Sequence, residues 1–353
     1  MTKVHRIKLT GKSIASSGKV SKTLISAMLL FCLATISNAQ KYQFFSNTIS
    51  DWAVLTFPTA GGSVRWSLLK NANPSPPGPG QATIADITWG LTQTDLIPNV
   101  GDYTGDGIDD TAIYRNNSGT PANTYIWRNQ NGGATYVPWG ISTTDILGKE
   151  GDYDGDGKMD PTIVRQSGAN LVWWVYRSSD NTSMTFTYGL FDTDIALPGA
   201  DYTGDGKDDP AIVRIGANGL ITWYVGTTSG TVLSVTPWGS FNTDFIIPGG
   251  DYDGDGKADF MVWRGFGAGT NGAWYLRTNS GNTSATVFGI PGASGRDTPL
   301  RAGDYEGDGK TDIAVYRPSS LTFWVARSSG GVQSQRWGVT GNTNIPVASF
   351  GTF

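Results

Sequence analysis

The chain has 353 residues, with 26 Lys+Arg against 30 Asp+Glu, one His and one Cys. That length holds one large repeat domain or two ordinary ones. A single cysteine excludes an internal disulfide framework, and the acidic balance suits neither nucleic acid nor anionic membrane surfaces.

The first segment reads as a secretory leader. Lys3, His5, Arg6, Lys8, Lys12, Lys19 and Lys22 form a basic start without any acid. An apolar run from Leu24 to Ile36 follows, then Ser37-Asn38-Ala39. This order predicts a signal peptide over residues 1–39, cleaved after Ala39, and hence a protein that is extracellular, on the cell surface or in the periplasm. Cys32 lies mid-run, which makes a lipoprotein the weaker reading, and an uncleaved anchor is weaker too. No stretch is long enough to cross a bilayer comfortably, so no membrane insertion is expected. Cleavage would remove Cys32 and His5, and with them any thiol nucleophile, imidazole base or zinc-type ligand set. It would leave 20 basic residues against 30 acidic ones.

After the leader, the chain repeats itself. Gly101-Asp102-Tyr103-Thr104-Gly105-Asp106-Gly107 returns from Gly151, and again from Asp201, Asp251 and Asp304. The steps between first aspartates are 50, 49, 50 and 53 residues. Each loop leads into a short apolar strand ending in arginine, as in Thr162-Ile163-Val164-Arg165. An aromatic strand follows, then a Gly/Ser/Asn turn. The next strand ends in aromatic-Gly: Trp89-Gly90, Trp139-Gly140, Tyr188-Gly189, Trp238-Gly239, Phe288-Gly289 and Trp337-Gly338. Thr-Asp and an apolar stretch then lead into the next loop in most units. No helical period stands out, and four short strands per unit predict an all-β, six-bladed β-propeller over residues 40–353, with seven blades the lesser alternative. Ile345-Pro346-Val347 matches the strand that precedes a loop, and Trp52-Ala53-Val54-Leu55 the strand that follows one. The C-terminal strand is therefore expected to complete blade one and close the ring. The proline-rich stretch from Asn71 to Gln81 is expected to be a surface loop.

The loops have the pattern Asp-x-(Asp/Thr/Glu)-Gly-Asp-Gly-x-x-Asp. Hard cations such as Ca²⁺ take about six to eight oxygens, and carboxylates at positions 1, 3, 5 and 9 of a tight loop can converge on one ion. A main-chain carbonyl at position 7 adds another. The expected ligands are Asp102, Thr104, Asp106, Ile108 and Asp110 in the first loop. In the second they are Asp152, Asp154, Asp156, Lys158 and Asp160, and in the third Asp201, Thr203, Asp205, Lys207 and Asp209. The fourth offers Asp251, Asp253, Asp255, Lys257 and Asp259, and the fifth Asp304, Glu306, Asp308, Lys310 and Asp312. Ile108 and the four lysines act here through their carbonyls alone. An Asp-Gly turn that merely caps a hairpin needs one or two such residues. Here twenty of the thirty acidic residues sit in these loops, four in each of five. About five Ca²⁺ sites are therefore expected, weaker in the two loops with threonine at position 3. Those two loops carry an extra acid at position 8, Asp109 and Asp208, which either compensates or faces water.

The loops, followed in several copies by Asp-x-Ala-Ile/Val-x-Arg, resemble FG-GAP or VCBS repeats, which build the propeller heads of integrin α subunits and occur in many secreted bacterial proteins. The resemblance spans nearly everything after the leader. It implies that calcium in the loops stiffens the blades while ligands bind on a propeller face. Blade one departs most, because Ser349-Phe350 stands where Gly-Asp is expected, so no metal is anticipated there.

Two further columns recur. One comprises Trp66, Tyr125, Trp174, Trp223, Trp274 and Trp324, read as packing between blades in preference to a sugar-stacking surface. The other pairs Arg115, Arg165, Arg214, Arg264 and Arg317 with Asp95, Asp145, Asp194 and Asp244, read as repeated structural ion pairs. Nearly every prominent charge is repeated, which is the pattern of scaffolding. A catalytic centre needs a unique constellation. The non-repeated neighbours Lys149 and Glu150 are a thin basis for one. The function expected is a binding or adhesion module for an extracellular glycan or protein, not an enzyme. A calcium-dependent, lyase-like polysaccharide enzyme is the alternative.

Overall fold

The computed structural model describes residues 44–45, 49–57, 62–71, 84–92, 94–97, 100–117, 123–129, 132–141, 144–265, 271–291, 297–301, 303–340 and 344–347. The leader and most of the proline-rich stretch lie outside them. Among the described residues there is no helix, and none could therefore cross a membrane.

The strands form six antiparallel sheets of four, arranged as a β-propeller. Blade one joins Asn344–Pro346 to Trp52–Thr56, Ser63–Leu69 and Ile84–Leu91, in that order. The last strand thus pairs with the first, with Val54 opposite Pro346 and Thr56 opposite Asn344. The ring closes as the two chain ends imply. Blades two to six each use four consecutive strands.

Burial follows position in the blade. The second strands, such as Trp52–Thr56 and Phe260–Arg264, are buried on nearly every residue, because neighbouring sheets cover both faces. The fourth strands alternate or are open, as in Val332–Arg336 and the fully exposed Thr283–Val287, which places them at the rim. Apolar clusters straddle neighbouring blades. Trp52 stacks on Tyr305 at 4.7 Å between blades one and six, and Tyr202 on Phe260 at 5.6 Å between blades four and five.

The third-strand aromatic column needs one correction. Trp66, Tyr125, Trp223 and Trp274 are 0–1% exposed, as packing requires. In blades three and six the buried members are Trp173 and Phe323, not Trp174 and Trp324. Trp173 lies opposite Val164, and Phe323 opposite Tyr316, the register of Trp223 opposite Val213. A one-residue offset in a strand reverses the face. Trp174 and Trp324 therefore point the other way and lie against Arg165 and Arg317.

The ion-pair column holds, with one member added. Asp95, Asp145, Asp194 and Asp244 each lie opposite Arg115, Arg165, Arg214 and Arg264 and grip them through two hydrogen bonds. Asp297 does the same for Arg317 in blade six. It is preceded by Arg296 instead of threonine, so the Thr-Asp pattern missed it. Each carboxylate also accepts the N–H just after aromatic-Gly, as Asp194 does from Leu190 at 2.7 Å. That turn requires positive φ, +97° at Gly140, where an added Cβ would lie 2.9 Å from Asp145 Oδ2. Blade one has the neutral pair Thr56 and Asn344 at these positions, and Asn344 Oδ1 still accepts the Val339 N–H at 2.7 Å. Asp194→Ala is expected to cost about 2–3 kcal/mol, since it strands an arginine and a turn N–H. Introducing Arg214→Thr as well should recover part of that loss in urea denaturation, as the pairs in a coupled cycle are not additive.

Candidate metal centres

All five acidic loops join the first and second strands of their blades, so they lie on one face of the ring. The Asp–Arg pairs and aromatic-Gly turns lie at the opposite ends of the strands.

Within each loop the first aspartate organises the backbone. Asp152 Oδ1 accepts the N–H groups of Gly155 (2.6 Å) and Asp156 (3.1 Å), and its Oδ2 accepts that of Gly157 (2.9 Å). Asp102, Asp201, Asp251 and Asp304 accept the corresponding bonds. The last aspartate closes the loop from the far side: Asp160 Oδ2 accepts the Tyr153 N–H at 2.9 Å, and its Oδ1 accepts the Ser178 N–H at 2.7 Å. Asp259 and Asp312 repeat both contacts, reaching Asn279 and Ser328.

Carboxylates converge as the spacing requires. Oxygens of Asp152, Asp154 and Asp156 lie within 4.8 Å of one another, as do those of Asp251, Asp253 and Asp259. These are the two loops with aspartate at position 3. In the Thr104 and Thr203 loops the hydroxyls lie 3.4 Å from Asp102 and Asp201. Glu306 is tied instead to Ser328 Oγ (2.8 Å) and to the Ser329 N–H (2.8 Å).

The electrostatics are those of crowded, buried carboxyls. The closing residues Asp110, Asp160, Asp209, Asp259 and Asp312 are each pushed up to about 7, mainly by burial. Neighbouring loop carboxylates add to the push, and backbone N–H donors oppose it. Asp110 Oδ1 is buried with no hydrogen-bond partner among the described residues. An all-oxygen, carboxylate-rich donor set with a buried oxygen to spare fits a hard divalent ion.

The loops also touch one another. The position-8 N–H of each loop donates to the position-1 carbonyl of the loop before it: Met159 to Asp102, Asp208 to Asp152, Ala258 to Asp201 and Thr311 to Asp251, at 2.6–2.8 Å. The Ser50 N–H donates likewise to Asp304, carrying the belt into blade one. The position-7 lysines lie across the preceding loop. A Cβ added at Gly105, where φ is +82°, would come within 2.5 Å of Lys158 Cε. Their side chains therefore cover loops while their carbonyls remain the candidate ligands.

The extra acids do not simply face water. Asp208 is 2% exposed, and its Oδ2 accepts the Asp152 N–H of the preceding loop at 2.8 Å. Burial holds its carboxyl well above the usual range. Asp109 is half-buried. Lys149 and Glu150 are both fully buried: Lys149 Nζ donates to the Gly148 carbonyl, and Glu150 Oε1 accepts from the Tyr125 hydroxyl.

Sequence reasoning missed the remnant loop of blade one. Asp51 precedes its strand as Asp160 does, and takes the same two bonds, from the Asn71 N–H (2.8 Å) and the Phe45 N–H (3.0 Å). The Phe45 N–H thus takes the part that the Tyr153 N–H plays toward Asp160. Ser349 and Phe350 lie outside the described residues. Asn71 itself is buried and donates to the Ser50 and Tyr305 carbonyls, so the proline-rich stretch starts from an anchored residue.

Residues 251–315, the fourth and fifth acidic loops with the strands between them, match the family model of the FG-GAP-like repeat. No curated protein matches the chain. Among solved structures, it is similar to a streptogramin B lyase at 11% identity and TM-score 0.43, covering 89% of this chain and 96% of that one. It is similar to AofleA from Arthrobotrys oligospora at 15% identity and TM-score 0.40, covering 90% and 89%. A third likeness is to the rhamnogalacturonan lyase YesW, at 14% identity and TM-score 0.32, covering 87% and 70%. At these identities and scores the likenesses carry no activity or ligand across. The ring of six four-stranded blades makes the chain a β-propeller, and its residues 251–315 match the FG-GAP-like repeat.

Proposed function

We propose that this propeller is a secreted, calcium-binding module that holds an extracellular glycan or protein ligand and carries out no chemistry of its own. The observation that supports it most is the belt of five acidic loops, hydrogen-bonded from blade to blade around one face. Calcium there would neutralise carboxylates that are otherwise crowded and buried. Asp102, Asp152, Asp201, Asp251 and Asp304 would hold the loop backbone, with positions 3, 5 and 9 and the position-7 carbonyl completing the ligand set. With that face committed to metal and rigidity, the opposite face is free for recognition. The non-repeated charges Lys149 and Glu150 are buried and hydrogen-bonded, which leaves them poorly placed as an acid–base pair.

The loops should differ in affinity. The Asp152 and Asp251 loops already gather three carboxylates each and should bind tightest. Asp154→Thr should weaken one of the tight sites roughly tenfold, toward the Asp102 and Asp201 loops, in a calcium titration. A titration with five equal sites would contradict the ranking. Ligand class is tested on a glycan array run in calcium and in EGTA. Calcium-dependent glycan capture supports the module. Release of unsaturated uronides from polysaccharide, read by ultraviolet absorbance, would overturn the non-catalytic reading.

A further inference from the structure

Between blades five and six both the aromatic of aromatic-Gly and the connection after it depart from the commoner pattern, and a cavity opens there. At three other boundaries a tryptophan of aromatic-Gly reaches across to the next blade's third strand. Trp139 donates to the Trp174 carbonyl (3.3 Å), Trp238 to that of Tyr275 (3.1 Å) and Trp337 to that of Ser67 (2.8 Å). The matching carbonyl in blade six belongs to Trp324, but blade five supplies Phe288, which is smaller and has no N–H. The connection that follows is also longer: Asp297 comes eight positions after Gly289, where Asp145, Asp194 and Asp244 come five after theirs.

The resulting cavity, about 240 Å³, is lined by Val287, Phe288, Ile290, Val315, Trp324 and Arg317, with Asp297 and Asn271 at its polar side. We propose that this cleft binds one neutral pyranose ring of a glycan, an assignment that rests on the glycan-binding reading above and gives it a location. The size suits a single ring, below the range of drug-sized sites. Charge argues for a neutral ligand. Arg317 is already neutralised by Asp297 through Nε at 2.6 Å and Nη2 at 2.8 Å, so the cleft has little net charge. The guanidinium also lies 5.3 Å from the Trp324 ring centre, which fixes its plane. Its Nη1 hydrogens and the exposed Asn271 amide can serve sugar hydroxyls. The apolar walls, with Val287 66% exposed, suit the C–H face of the ring.

Two variants of the full protein, in calcium, test this by saturation-transfer NMR against a panel of neutral mono- and disaccharides. Phe288→Trp should fill the cavity and restore the inter-blade indole contact. It should weaken binding at least tenfold while the melting temperature stays level or rises. Asn271→Ala, at an exposed position, should weaken binding several-fold without touching stability, and it decides the matter if Phe288→Trp does not fold. A parent that binds a neutral sugar while both variants bind equally well overturns the cleft and leaves the glycan reading standing. A parent that binds no sugar, on the panel or on the array, overturns both.

Discussion

Stripping calcium from the protein should lower its melting temperature by on the order of 10 °C or more. Extracellular calcium sites commonly have Kd of about 10⁻⁴–10⁻³ M. At a free calcium tenfold above Kd, each site adds about 1.4 kcal/mol to the folded state, so five sites add about 7 kcal/mol. A large domain shifts by about 2 °C for each kcal/mol. The structure gives this sum a mechanism. Each loop rests on its neighbour through one main-chain bond and one lysine stem, as from Met159 to Asp102 and from Lys158 over Gly105. Loss of order in one loop therefore loosens the next. Differential scanning in calcium and in EGTA makes the measurement, and magnesium, which demands near-ideal octahedral geometry, should restore less.

The pH dependence should change sign with calcium. In the metal-free protein Asp110, Asp160, Asp209, Asp259 and Asp312 are raised from 3.8 to about 7, with burial the main cause. Between those values the folded state keeps protons that the unfolded chain has released. Stability then falls as pH rises. The favourable contribution is complete below about pH 4 and gone above about pH 7. In EGTA the protein should melt several degrees higher at pH 5 than at pH 8. Bound calcium would take the place of those protons, so in calcium the order should reverse, and binding at pH 6 should release protons that a weakly buffered calorimetric titration can count. Equal melting temperatures at pH 5 and pH 8 in EGTA would show that these carboxyls are not under strain.

Much of this was legible in the amino-acid order because the propeller states each of its units repeatedly. The loop motif fixes a turn, the arginine ends a strand, and aromatic-Gly ends another, so blade number and ring closure follow from counting. What could not be read was of two kinds. Register within an aromatic run is ambiguous when two bulky residues adjoin: Trp173-Trp174 and Phe323-Trp324 each offer two candidates for one buried position, and only strand pairing chooses between them. Contacts between units were also hidden. Nothing in the spacing shows that Asp208 reaches back to the Asp152 N–H, or that Phe45 and Asn71 supply Asp51 with the bonds of a vanished loop. Asp297 escaped for a simpler reason, since Arg296 stands where the other copies have the threonine of Thr-Asp.

The candidate metal centres answer most directly to an isothermal titration of chelator-stripped protein with calcium, followed by elemental analysis of the dialysed product. About five ions per chain are predicted, with two taken up ahead of the rest. A flat titration, with no calcium retained, would contradict the account at its root.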